Sequence, residues 1–253
     1  YPENLIKIYN PPYFLFIKGV VKPQDSLSLA VVGARKMTVY GREATETLTK
    51  QLVNFGLTIV SGLARGVDTI AHQTALKNGG RTIAVLACGL DIIYPPENKK
   101  LAEQIIKSQG ALVSEFPPGY QPTPGNFPAR NRIISGLSLG TLVVEGKQDS
   151  GSLITARHAA SQGREVFAVP GPINSINSAG PLFLIKQGAK LVEKAEDILE
   201  ELNIDNRIKN IKQKAKDIRP ENPQEEKILI IISSEAKHID QIVRESGLDV
   251  GQV

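Results

Sequence analysis

The sequence predicts an α/β fold, an open and mostly parallel sheet with helices on both faces, and three observations carry that expectation. First, Leu29-Ala30-Val31-Val32 is an apolar run that ends in Gly33 and leads through a polar loop into a helical stripe of Ala44, Leu48, Leu52 and Phe55. A buried strand, a glycine turn and a helix form the opening unit of such a sheet. Second, the same alternation recurs to about residue 200, and four of the six better-defined strands are nearly all apolar, as strands covered on both faces must be. Third, loops on the two edges differ. Those following strands combine Gly with Ser, Asp or Arg, whereas Asn78-Gly79-Gly80 and Ser161-Gln162-Gly163 on the other edge are plain turns.

Composition sets the outer bounds. The 253 residues are 41% hydrophobic and 22% charged, which suits one large domain with a small appendage and argues against disorder. A net charge of +4 permits a polyanionic partner without requiring one. Cys88 is the only cysteine, so neither an intrachain disulfide nor a cysteine zinc site is expected. No apolar run approaches twenty residues and no signal peptide is visible, so a cytoplasmic protein without membrane contact is expected. Tyr1 is not Met and the chain stops in mid-pattern after Leu248, as a fragment does.

In chain order, residues 1–25 are a lead-in punctuated by Pro11, Pro12 and Pro23, with Phe14-Leu15-Phe16-Ile17 as an edge strand or packed arm. Strands are expected at 28–33, 57–60, 81–87, 111–114, 140–144 and 164–169, with a short one at 189–192. Helices are expected at 41–55, 66–77, 98–108, 130–138, 151–161 and 181–187. The first domain is thus 1–200. A linker at 201–224 follows, in which Arg207 to Arg219 holds six basic residues and one acid, Asp217. It reads as a solvated helix, with a nucleic-acid contact or an interdomain strap as alternatives. From 225 to 253 an apolar run, Ile228 to Ile232, and a helical repeat of Ile239, Ile242 and Val243 look like the start of a truncated winged-helix-like unit.

The glycine loops exclude the commoner nucleotide sites. Gly33 and Gly41 are too far apart for G-x-G-x-x-G, the second strand ends in Ser61-Gly62 without a ribose-binding acid, and no P-loop occurs. No G-x-S-x-G elbow supports a nucleophile. Asp68 and His72 read as a capping and packing pair rather than an acid/base couple, and Cys88 as a small buried residue.

Taken together, the loops resemble the bacterial DNA-processing protein A family, also called the Smf family. The resemblance rests on Val32-Gly33-Ala34-Arg35, Tyr40-Gly41, the run Ser61 to Asp68 with Ala71-His72, Cys88-Gly89-Leu90-Asp91, Phe127-Pro128 and Arg130-Asn131-Arg132-Ile133-Ile134. Glu145, Ser150 to Ala156, Val169-Pro170-Gly171 and Leu184-Ile185 complete it, while Leu182 stands where relatives often carry Asn. What the resemblance implies is a Rossmann-like core, single-stranded DNA binding in natural transformation, and help in loading a RecA-type recombinase. It also implies a homodimer, with no catalytic activity and no cofactor. Its single-strand contacts would fall on Gly33, Arg35, Ser61, Gly62, Arg65 and Gly66, with the FPARNR segment nearby.

From the residues themselves, Arg35 and Lys36 are expected to meet phosphates while N–H groups around Gly33 and Gly62 cradle them. Arg65 and Lys147 are further phosphate candidates. Arg130 and Arg132, two apart, cannot point alike, so one is expected to face DNA and the other to brace Glu115 or Glu145. Phe127, Tyr40 and Tyr120 are candidates for base stacking, and the strip from Ala179 to Ile185 for a dimer surface. Two other classes stand beside this one. One is a nucleoside-monophosphate phosphoribohydrolase using Arg130 and Glu145, although Ser138-Leu139-Gly140-Thr141 lacks most of the phosphate-cradling glycines. The other is a purely structural assembly protein.

Overall fold

The structure, a computed structural model, describes residues 1–204, 222–232 and 238–251. Two compact units divide the chain, Tyr1–Leu202 and Asn203–Val253. Residues 205–221, most of the expected basic linker, lie outside the described residues.

In the first unit the elements are α1 (Glu3–Ile6), β1 (Phe16–Gly19), β2 (Ser28–Val32), α2 (Val39–Asn54), β3 (Thr58–Ser61), α3 (Val67–Lys77), β4 (Thr82–Val85) and α4 (Lys99–Lys107). They continue as β5 (Ala111–Ser114), α5 (Asn126–Leu137), β6 (Gly140–Val143), α6 (Gly151–Ser161), β7 (Glu165–Ala168), α7 (Ala179–Lys186), β8 (Lys190–Leu191) and α8 (Ala195–Glu201). One sheet takes the order β1-β5-β4-β3-β2-β6-β7-β8. Every pairing is parallel except that of β1 with β5, where Phe16 lies opposite Ser114 and Gly19 opposite Ala111.

Apolar strands make this arrangement, because β2 to β6 are buried along their whole length and need cover on both faces. Alternate side chains of the sheet, including Ala30, Val60, Ile83, Val113 and Val143, pack with Leu5, Ile133, Leu153 and Leu184 of α1, α5, α6 and α7. On the opposite face Ala84 and Leu112 meet Leu101 and Ile105 of α4. Phe167 fills the space beside Gly140, where a Cβ would stand 2.7 Å from its ring. Arg81 clamps Asp25 at 2.7 Å and Asp25 accepts from Thr58 Oγ1 at 2.8 Å, which ties the lead-in to β3 and β4.

Several boundaries shift by one or two residues from the sequence expectation, and two of the departures have a visible physical reason. The edge strand begins at Phe16 rather than Phe14, whose ring is 77% exposed. Helix α5 begins at Asn126 rather than residue 130, because Pro128 falls in the first turn, where no N–H is needed. The short helices α1 and α8 carried too few periodic positions to be expected. In the second unit, α9 (Pro223–Ile232) and α10 (Ile239–Ser246) are the described helices, and Gly247 ends α10 in the left-handed conformation (φ +66°). No helix of the described residues is long and apolar enough to cross a membrane.

Candidate nucleic-acid interface

Strand order turns back between β2 and β6. The chain leaves β2 through α2 toward β3, and leaves β6 through α6 toward β7 on the opposite face, so their carboxyl ends open a crevice. A cleft of about 730 Å³ lies there, lined among others by Gly33, Arg35, Lys36, Phe127, Lys147 and Ser152.

The first loop is held from below. Glu145 is 2% exposed and accepts from Thr38 N at 2.9 Å and Thr38 Oγ1 at 2.6 Å. Thr38 also caps α2 by accepting from Gly41 N at 3.1 Å. Asn177 Nδ2 donates to Lys36 O at 3.0 Å. Gly41 has to be glycine, since a Cβ would stand 2.3 Å from Glu145 Oε2. The second loop touches the first: Val67 N donates to Ala34 O at 3.2 Å, beside Gly66, whose φ of +78° only glycine adopts without strain.

With the loops so fixed, three cations remain at the cleft without an ion pair to any described residue: Arg35, Lys36 and Lys147, all exposed. Arg35 Cζ lies 5.4 Å from the ring centre of Phe127, and Tyr94 stands 5.7 Å from the same ring. Gly33 lines the cleft and packs against Val67, with room for no Cβ.

Other residues expected to meet DNA are committed elsewhere. Ser61 is fully buried and donates to Val31 O at 2.7 Å. Gly62 N donates to Asp68 Oδ2 at 3.0 Å and Gly62 O accepts from Arg130 Nη1 at 2.7 Å, so the Gly62 N–H is already engaged. Arg130 lies in the cleft lining but is only 4% exposed and also donates to Val85 O, so backbone carbonyls hold its guanidinium. Five residues into α5, its guanidinium turns down into the ends of β3 and β4. Burial lowers its pKa to about 10 against the pull of Asp68. Arg132 is the brace, with Nη2 at 2.5 Å from Glu115 Oε2. Neither of the pair therefore faces the cleft mouth.

Arg65 is exposed but paired with exposed Glu97, at the margin where Tyr94, Pro95 and Phe127 form a small second recess. Replacing Glu97 with Gln is expected to free Arg65 and raise oligonucleotide affinity about threefold at low salt, measured by fluorescence anisotropy. Unchanged affinity would remove Arg65 from the interface.

Beneath the loops, Asp68 is shifted up by burial, which Arg130 and the loop N–H groups oppose. His72 Nδ1 stands 2.6 Å from Thr82 Oγ1, and burial followed by repulsion from Arg130 lowers its pKa to about 3. Neutral His72 therefore contributes full stability above about pH 6.5, the unfolded value, and that contribution drains away as pH falls toward 3. Asp68, raised in the fold, acts with the opposite sign in its own window. Between pH 6 and 4 the His72 contribution is expected to change by roughly 1.4 kcal/mol per pH unit. Denaturant melts of the His72→Gln variant should show that component of the slope missing; an unchanged slope refutes the assignment.

Cys88 is buried, and no group of three His, Cys, Asp or Glu among the described residues could hold a metal ion. Arg130 and Glu145, the pair that a phosphoribohydrolase would use, are both engaged by the protein's own backbone or by Thr38. Fold and site thus define a Rossmann-like domain with a switch-point cleft lined by exposed cations.

A profile of the DNA recombination-mediator protein A family matches residues 1–203, and the chain belongs to that family. It is 51% identical to Protein Smf of Escherichia coli over 202 residues, covering 80% of this chain and 54% of that protein. With DNA processing protein DprA of Bacillus subtilis it shares 50% over 203 residues, 80% of this chain and 68% of the relative. The chain thus spans between about half and two-thirds of these relatives' lengths. The crystal structure of DNA processing protein A from Streptococcus pneumoniae superposes with a TM-score of 0.74 at 47% identity, covering 79% of this chain and 70% of that one. A structure of the Helicobacter pylori protein, solved for its single-stranded DNA binding mode, gives 0.72 at 33% identity, covering 81% and 94%.

Proposed function

We propose that this chain binds single-stranded DNA at the β2/β6 cleft during natural transformation or recombination in the cytoplasm, acts as a homodimer, and hands the strand to a RecA-type recombinase without itself performing catalysis. One observation carries the reading: Arg35, Lys36 and Lys147 surround one switch-point cleft and have no ion-pair partner among the described residues. Paired surface cations are common and uninformative; three unpaired ones on loops fixed from below form a site for a polyanion. The Phe127 ring supplies a flat apolar face that an unpaired base can meet and that a duplex hides within its own stack. The single-strand binding described for the Helicobacter pylori relative supports the same choice. Gly66 and Gly33 serve by letting the two loops approach, and Arg65 joins when Glu97 releases it.

A salt titration of binding to matched single- and double-stranded oligonucleotides tests this. Three neutralised phosphates give a slope of log K against log salt of about −2 for a single strand. Single-strand preference throughout is the expected result; equal or tighter duplex binding, or a slope near zero, overturns it.

A further inference from the structure

The carboxyl rim of the sheet does not end at the cleft. Beyond β3 come β4 and β5, and their following loops carry features that the cleft does not use. Phe116 and Tyr120 stack with ring centres 4.9 Å apart and planes 20° from parallel. Tyr120 stays 45% exposed, so its outer face is open. The loop bearing it is pinned to the one after β4: Gly89 N donates to Tyr120 O at 2.9 Å, and Gly119 N donates to both oxygens of Asp91 at 2.9 and 3.0 Å. A ring held this firmly at the surface loses little freedom when another ring settles on it.

Two cations on this stretch point the same way. Lys99 and Lys100 open the first turn of α4 and are exposed, with no ion pair to a described residue. The positive end of the helix dipole disfavours cations there, so the fold gains nothing from them, whereas an anion alongside does. Further out, the antiparallel register of Phe16 with Ser114 brings the chain into β1 from beyond the carboxyl end of β5. Phe14, 77% exposed, comes from that side. On the other half of the rim, the Tyr40 hydroxyl is tied to Pro170 O.

We infer that single-stranded DNA leaving the cleft runs along the rim toward β5, with a base stacked on Tyr120 and phosphates beside Lys99 and Lys100. This rests on the cleft reading above and assigns the direction and length of the track. Three strand spacings, about 14 Å, separate β2 from β5, which a short run of nucleotides covers.

The test compares the full chain with variants on labelled oligo-dT of two lengths, about 4 nucleotides to fill the cleft alone and about 16 to cover the rim. Tyr120→Ala should weaken the long oligomer at least about fivefold and leave the short one within about twofold. Tyr120→Phe should keep the affinity, since stacking needs only the ring, yet show less quenching of tyrosine emission, which no Trp obscures in this chain. Replacing Lys99 and Lys100 together with Gln should reduce the salt slope by about 1.4 for the long oligomer only. An effect of Tyr120→Ala that is equal at both lengths overturns the track alone. Undiminished binding at both lengths also overturns it and leaves the aromatic surface to a protein partner. If the unsubstituted chain binds neither length, the cleft reading falls, and this one with it.

Discussion

Replacing Arg35 with Glu is expected to lower affinity for a single-stranded oligonucleotide about 100-fold at moderate salt. The guanidinium is exposed at the mouth of the first loop, and no described acid shares it. A hydrogen bond to a charged group is worth roughly 1.5–3 kcal/mol, and tenfold in affinity corresponds to about 1.4 kcal/mol. Losing the contact therefore accounts for about tenfold, and the repulsion of a carboxylate facing phosphate for a comparable factor. Arg35→Gln separates the two, with about tenfold expected. The remaining salt slope should be shallower by about 0.7, the signature of one phosphate fewer. Because Arg35 is exposed and has no ion pair to a described residue, thermal stability should stay within about 0.5 kcal/mol. Binding that survives Arg35→Glu, measured by anisotropy on a chain with unchanged melting, would remove the cleft from the interface.

The parts of this fold that were legible in the sequence are those in which one residue type repeats on one element. Four strands stood out because covered strands have to be apolar along their length, and the carboxyl edge stood out because its loops combine glycine with Ser, Asp or Arg. What stayed hidden depends on contacts across long separations. Glu145 and Thr38 are 107 positions apart, and nothing local says that this carboxylate locks the first loop. The direction of Arg130 was equally hidden, because a guanidinium near a glycine loop can reach outward to phosphate or inward to carbonyls. Helix α5 decided it by starting at Asn126, whose amide holds Ala87 O at 3.0 Å. Pro128 is a first-turn residue of that helix, and the earlier start places Arg130 one turn in, beneath the loops. Arg35 kept its outward direction because the short polar loop lies over the Glu145 clamp and offers it no acid.

Arg130 carries the second large expectation, on stability rather than binding. Its guanidinium joins the carboxyl ends of β3 and β4 through Gly62 O and Val85 O, while Asp68 holds the N–H groups of Gly62 and Ala64. Replacement by Met keeps much of the volume but strands two buried carbonyls and leaves Asp68 without its neighbouring positive charge. Each buried carbonyl left unsatisfied costs about 1–3 kcal/mol, so the loss is expected at about 3 kcal/mol or somewhat more. For a domain of about 200 residues this lowers the melting temperature by roughly 10 °C, to be read by calorimetry. Adding Asp68→Asn should cost less than the sum of the single losses, because the stranded charge is then gone. A loss below about 1 kcal/mol would show that solvent satisfies the carbonyls. Well below its melting point, the Arg130→Met protein should bind single strands with an undiminished salt slope, because an internal brace neutralises no phosphate. A slope shallower by about 0.7 would instead return Arg130 to the DNA face that its position in the sequence suggested.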